Sequence, residues 1–161
     1  MKPLALLLIL AAAPAFAETV ELATPVPGVV EQVAVKPGQR VKRGAVLLKL
    51  EPTRLQAAFD EADALAARAE LDLADAAKDL ARAEDLYART VSSTTELDAA
   101  KLRRDRAAAD ARAAGARRTL ARKNLDDAVL RAPFDGVVKK IAAPGTALRE
   151  GVAGSLATLE R

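Results

Sequence analysis

From Leu55 to Tyr87 the apolar positions recur in alternating steps of four and three: Leu55, Phe59, Ala62, Ala66, Ala69, Leu73, Ala76, Leu80, Ala83 and Tyr87. A mean step of 3.5 residues is the seam of a helix packed lengthwise on another helix. The pattern predicts a first helix starting near Thr53, with Pro52 at or just before its first turn, and reaching about Arg89. At 1.5 Å per residue that rod is about 55 Å long. A stretch rich in Ser and Thr from Thr90 to Glu96 then breaks the pattern, and Ser93 with Glu96 three residues on forms a capping box. A second helix is expected from about Thr94 to between Asn124 and Ala128. Its seam is Leu97, Ala100, Ala107, Ala111, Ala114, Ala121, Leu125 and Ala128, with Arg104 and Arg118 in the remaining places. Long arginine stems can cover the partner helix while their guanidinium groups reach outward. The short connection makes the helices antiparallel neighbours.

The flanks follow a different rule. None of the eight prolines lies between Pro52 and Pro133, and of eight glycines only Gly115 lies between Gly44 and Gly136. Outside that stretch Pro and Gly return at short spacing with Val, Ile and Leu between them, the mark of short strands and tight turns. The flanks also repeat each other. Gly28-Val29-Val30 followed by Pro37-Gly38 and Gly44 is matched by Gly136-Val137-Val138 followed by Pro144-Gly145 and Gly151, with one residue fewer in the second copy. One copy has too little backbone to bury a face, but two related by an approximate twofold could close a small flattened barrel or sandwich. The fold class is therefore α+β: two β half-motifs with a long antiparallel α-helical coiled-coil hairpin between them.

Residues 1–17 belong to neither part. Lys2, the apolar run Leu4 to Ala13 and the small-x-small site Ala15-Phe16-Ala17 have the layout of a cleavable signal peptide. The run is too short to span a bilayer. No cysteine follows it, so a lipoprotein is not expected. The divisions are then 1–17 signal peptide, 18–52 first β half, 53–128 hairpin with its tip near 90–94, and 129–161 second β half.

Composition narrows the chemistry. The 161 residues include no Cys and no His, which removes thiol nucleophiles, Ser-His-Asp relays and the usual zinc sites. No catalytic, cofactor-binding or metal-binding residue is expected, and no enzyme. Lys and Arg number 25 against 22 Asp and Glu, and aromatics are 2%. A net charge of +3 spread along the chain, without a stacking platform, gives no case for nucleic acid. Alanine accounts for much of the 51% hydrophobic content. It favours helices that approach closely over a large core.

The order half-barrel, hairpin, half-barrel resembles the periplasmic adaptor, or membrane fusion protein, family of bacterial efflux and secretion systems. The residues that carry the likeness are Gly28-Val29-Val30, Lys36-Pro37-Gly38, Val41-Lys42-Arg43-Gly44 and Leu47-Leu48-Lys49-Leu50, then Leu130-Arg131-Ala132-Pro133-Phe134-Asp135-Gly136-Val137-Val138. The resemblance implies that the flanks form a split biotinyl/lipoyl-like domain. It also implies a periplasmic subunit bridging an inner-membrane transporter and a TolC-like outer-membrane channel, with several copies assembling. Adaptors of resistance-nodulation-division pumps carry an Arg-x3-Leu-x6-Ser pattern at the hairpin tip, and Arg82, Leu86 and Ser93 match it. These three are the expected partner-binding residues. The bland alternative makes Arg82 and Leu86 ordinary helix surface and Ser93 only a cap.

Family members usually continue into a β-barrel and a membrane-proximal domain, so the chain reads as a short form. A true biotin or lipoate carrier is disfavoured, because Arg54 stands past the strand where a modified lysine would be and Lys49 is expected inside a strand. No covalent biotin or lipoate is therefore expected. The competing class is a stand-alone envelope coiled-coil interaction protein.

Overall fold

A computed structural model describes residues 18–90, 93–148 and 155–161. The expected signal peptide lies outside the described residues. Ten elements follow in chain order: β1 Thr19–Leu22, β2 Gly28–Val33, β3 Arg40–Val41, β4 Val46–Leu50, α1 Thr53–Ala88, α2 Thr94–Asp126, β5 Val129–Arg131, β6 Gly136–Ile141, β7 Ala147–Leu148 and β8 Ala157–Glu160.

Both helices start where the local chemistry supplies an acceptor. Ser93 caps α2, its hydroxyl oxygen accepting from the Glu96 N–H while the Glu96 carboxylate accepts from the Ser93 N–H, each at 3.3 Å. Pro52 caps α1 and has no polar side chain, so the preceding Glu51 takes over. Its carboxylate accepts from the Thr53 N–H at 2.9 Å. Alanine at the centre of the seam then lets the rods approach. Ala66 is 1% exposed and Ala100 2%, and every expected seam position from Leu55 to Ala83 is shielded at least in part.

The seam arginines behave as their stems require. Arg118 reaches across to Asp63 and Glu70, each at 3.7 Å, while Arg104 turns to its neighbour Asp105 at 3.1 Å. Beside the seam Arg103 meets Asp79 at 3.8 Å, and Arg122 stacks over the Phe59 ring at 5.3 Å. Ala128, expected to extend the seam, is instead buried in the β core with Val26, Val30 and Leu50.

The strands form two four-stranded antiparallel sheets, ordered β1-β8-β6-β3 and β5-β4-β2-β7. Exchanging β1 with β5, β2 with β6, β3 with β7 and β4 with β8 turns one order into the other, which is the approximate twofold expected from the repeat. Each sheet draws two strands from each half, so neither half makes a sheet alone. The symmetry extends to single bonds. Gly38 N–H donates to the Val138 carbonyl at 2.7 Å, and Gly145 N–H to the Val30 carbonyl at 2.8 Å. A β-bulge falls between Val30 and Gln32 against β4, and its counterpart between Val138 and Lys140 against β8.

The matching turns have the same cause. Lys36-Pro37-Gly38-Gln39 and Ala143-Pro144-Gly145-Thr146 each place Pro second and Gly third, and both glycines sit at φ 85°. That left-handed conformation is what a type II turn requires at its third residue. The residue missing from the second copy is the counterpart of Val35, just before the turn. The larger buried side chains, Leu47, Leu48, Leu50, Leu156, Leu159, Val30 and Val138, fill the space between the sheets.

Candidate partner-binding site at the hairpin tip

The tip is built by two helix ends. α1 stops at Ala88, and the Arg89 N–H donates to the Asp85 carbonyl at 3.2 Å. Thr90 then reverses the chain at φ 61°, the one left-handed residue other than glycine among the described residues. A β-branched side chain pays a steric penalty there. Residues 91 and 92 lie outside the described residues, and Ser93 opens α2.

Arg82 and Leu86 stand one turn apart on a shared stripe of α1, off the seam. Leu86 is 45% exposed. Among the described residues Arg82 pairs with Asp79 on its own helix, at 3.3 Å, and Asp79 is shared with Arg103 from α2. Exposed pairs of this kind contribute about 0–1 kcal/mol, so the guanidinium can be redirected to a partner at little cost. Ser93 lies on the other side of the turn, its side-chain oxygen engaged in the cap. The three expected residues thus divide: Arg82 and Leu86 form one exposed arginine–leucine patch, while Ser93 shapes the start of the returning helix.

Two features of the tip were not read from the sequence. Tyr87, assigned to the seam, is 42% exposed. The seam runs out before it, because α2 begins with Thr94 and Thr95 and has no apolar residue at that height. The left-handed Thr90 was also missed, since nothing in its residue type favours that conformation.

Elsewhere the chemistry is sparse. Lys49 is exposed within β4, as expected. Among the described residues no cluster of acidic, His or Cys side chains has the makings of a metal site, and no helix is long and apolar enough to cross a membrane.

Comparison with known proteins agrees with this architecture. Residues 18–153 match the family model of the CzcB-like, barrel-sandwich hybrid domain. Multidrug resistance protein MdtA of Cronobacter turicensis is 32% identical over 122 residues, covering 76% of this chain and 29% of that protein. MdtA of Klebsiella pneumoniae is 31% identical over the same length, with 30% of it covered. The chain therefore spans about three-tenths of the relatives it matches.

Among solved structures, ZneB from Cupriavidus metallidurans aligns with TM-score 0.59 and 25% identity, over 92% of this chain and 44% of that one. The membrane fusion protein Spr0693 from Streptococcus pneumoniae shares the fold at TM-score 0.62 and 16% identity, over 89% and 61%. With its split barrel closed around a twofold and its hairpin projecting from one edge, the chain belongs to the CzcB-like barrel-sandwich hybrid family, within the membrane fusion or periplasmic adaptor proteins.

Proposed function

We propose that the protein is a non-enzymatic periplasmic adaptor of a tripartite efflux or secretion complex. It joins an inner-membrane transporter to a TolC-like outer-membrane channel, and the hairpin tip makes the channel contact. The observation that carries this reading is the exposed pairing of Leu86 with Arg82 near the far end of the rod. A leucine held open beside a weakly committed guanidinium suits a facing helix-turn. Leu86 fills a small apolar notch and Arg82 donates to the carbonyls around it. The rod supplies reach, and the barrel supplies a stiff base from which it projects.

Co-purification from the host envelope tests the proposal. The exported chain should bring down both a TolC-like channel and an inner-membrane transporter. Arg82→Asp or Leu86→Ser should lose the channel while keeping the transporter and an unchanged helical circular-dichroism spectrum. Full retention of the channel by both variants would remove the tip from the mechanism. A chain that captures neither component would favour an envelope protein using the hairpin for another partner.

A further inference from the structure

The twofold of the barrel makes its departures from symmetry readable. Residues 22–30, Leu-Ala-Thr-Pro-Val-Pro-Gly-Val-Val, overlie residues 130–138, Leu-Arg-Ala-Pro-Phe-Asp-Gly-Val-Val, without a gap. The strand partners agree, since Leu22 stands opposite Ala157 on β8 and Leu130 opposite Leu48 on β4. Thr24 therefore takes the place of Ala132, and Pro27 that of Asp135.

In the second copy this segment holds the turn after β3. The Ala132 N–H donates to the Ala45 carbonyl at 2.9 Å, and the Ala132 carbonyl accepts from the Gly44 N–H at 2.7 Å. The Asp135 carboxylate accepts from the Arg43 N–H at 2.6 Å.

In the first copy the same segment crosses the base of the helical hairpin. The Thr24 hydroxyl donates to the Asp127 carbonyl at 2.8 Å, joining residues 103 apart in the chain. Asp127 is the C-cap of α2, and its carboxylate pairs with Lys123 in the last turn. Val26 is buried in one cluster with Ala128, just past α2, and Leu55 from the first turn of α1 packs on that cluster. Pro27 walls a cleft together with Glu51, Arg54 and Leu55. Residues 23–27 thus reach the feet of both helices. Thr24 and Val26 each precede a proline, which confines their backbones to extended conformations.

The feet are already joined to each other. The Leu50 N–H donates to the Ala128 carbonyl at 2.8 Å, and β4 and β5 are neighbours in one sheet. Two attachments side by side define an axis about which a rod can rock. Residues 23–27 arrive from β1 in the other sheet, so they supply a third support outside that axis.

We propose that residues 23–27 are a buttress that fixes the angle at which the hairpin leaves the barrel, with Thr24 as its positioning residue. The lever is long. α1 has 36 residues, so a swing of about 10° at its foot carries the tip sideways by about 9 Å. One hydroxyl at the base thereby governs where Arg82 and Leu86 stand. The proposal concerns the chain's own geometry and does not require the adaptor reading.

The absence of cysteine permits a direct test by paired spin labels. Ala74→Cys on α1 and Lys140→Cys on β6 are exposed sites for the labels, one on the rod and one on the barrel. The labelled chain is diluted into unlabelled chain, so that only distances within one molecule are read. The parent should give one narrow distance distribution. Thr24→Val keeps the shape but removes the donor, and should broaden the distribution by about 5 Å for a 10° swing while the helical circular dichroism is unchanged. Thr24→Ser restores the donor and should restore the parent width. A valine chain with the parent width, or a serine chain as broad as the valine one, would overturn the proposal. A valine chain that fails to fold leaves the decision to Pro25→Ala with Pro27→Ala, which frees the segment and keeps the hydroxyl. Broadening is expected there too, and the parent width would overturn the buttress. The readout needs neither channel nor transporter, so it succeeds or fails separately from the proposed function.

Discussion

A β-carbon placed on Gly136 would stand 2.5 Å from the carbonyl oxygen of Glu160. The oxygen belongs to the backbone of β8, the strand beside β6, and cannot step aside without moving a sheet. The symmetry-related Gly28 meets a softer neighbour, since its added carbon would lie 3.3 Å from Leu50 Cδ1. Gly136→Ala should destabilise the protein by about 1–3 kcal/mol, the range for forced overpacking. Gly28→Ala should cost less. Thermal denaturation of the two variants checks the order, and equal losses would contradict this reading.

The close approach of the helices depends on Ala66 and Ala100, both almost wholly buried. Ala66→Leu should push the rods apart and cost about 1–3 kcal/mol. Ala77→Leu, on an exposed position of the same helix, should change stability by less than about 0.5 kcal/mol. Urea denaturation followed by circular dichroism separates the two.

Gly115 is the opposite of Gly136. It sits inside α2, and a β-carbon there meets nothing within 4 Å. Glycine costs a helix interior about 1 kcal/mol relative to alanine. Gly115→Ala should therefore stabilise the chain by about that amount, seen as a raised melting temperature. A loss of stability would show that the rod needs a break at this level.

The Glu51 carboxylate is held below the usual carboxylate range, first by its hydrogen bonding to Thr53 and further by the nearby Arg54. A carboxyl whose folded-state pKa is depressed stabilises the fold above its unfolded pKa, and loses that contribution as pH falls through the folded value. Glu51→Gln keeps an oxygen acceptor but no charge. Its deficit against the parent chain should thus be present at neutral pH and shrink under acid conditions, below the usual carboxylate range. Melting curves of both chains across that window test the sign.

The hairpin was legible because its signals are local and periodic. Leu55 to Ala83 mark a seam that any α-helix must turn to one side, and Ser93 with Glu96 mark a helix start wherever they fall. The Pro-Gly turns were legible for the same reason, since Gly38 and Gly145 answer a conformational demand of the turn itself.

The strand pairing was not. β1 and β5 are equivalent in the fold, yet Thr19-Val20-Glu21-Leu22 and Val129-Leu130-Arg131 share no punctuation, and their partners are set by contacts distant in the chain. At the tip, the spacing of Arg82, Leu86 and Ser93 was readable, whereas the exposure of Tyr87 depended on where the opposite helix begins. The overall charge of +3 concealed a further contrast, because α1 carries nine Asp or Glu against four Lys or Arg, whereas α2 carries five against nine.

β4 and β5 are adjacent antiparallel strands, and the whole helical excursion leaves from the end of one and returns at the start of the other. Topologically the rod is a β-hairpin loop grown long. Its reach is consequently an adjustable dimension: removing one heptad from each helix shortens it by about 10 Å and keeps both seams in phase. No barrel residue takes part in that change, so evolution or an engineer can fit the same base to gaps of different width.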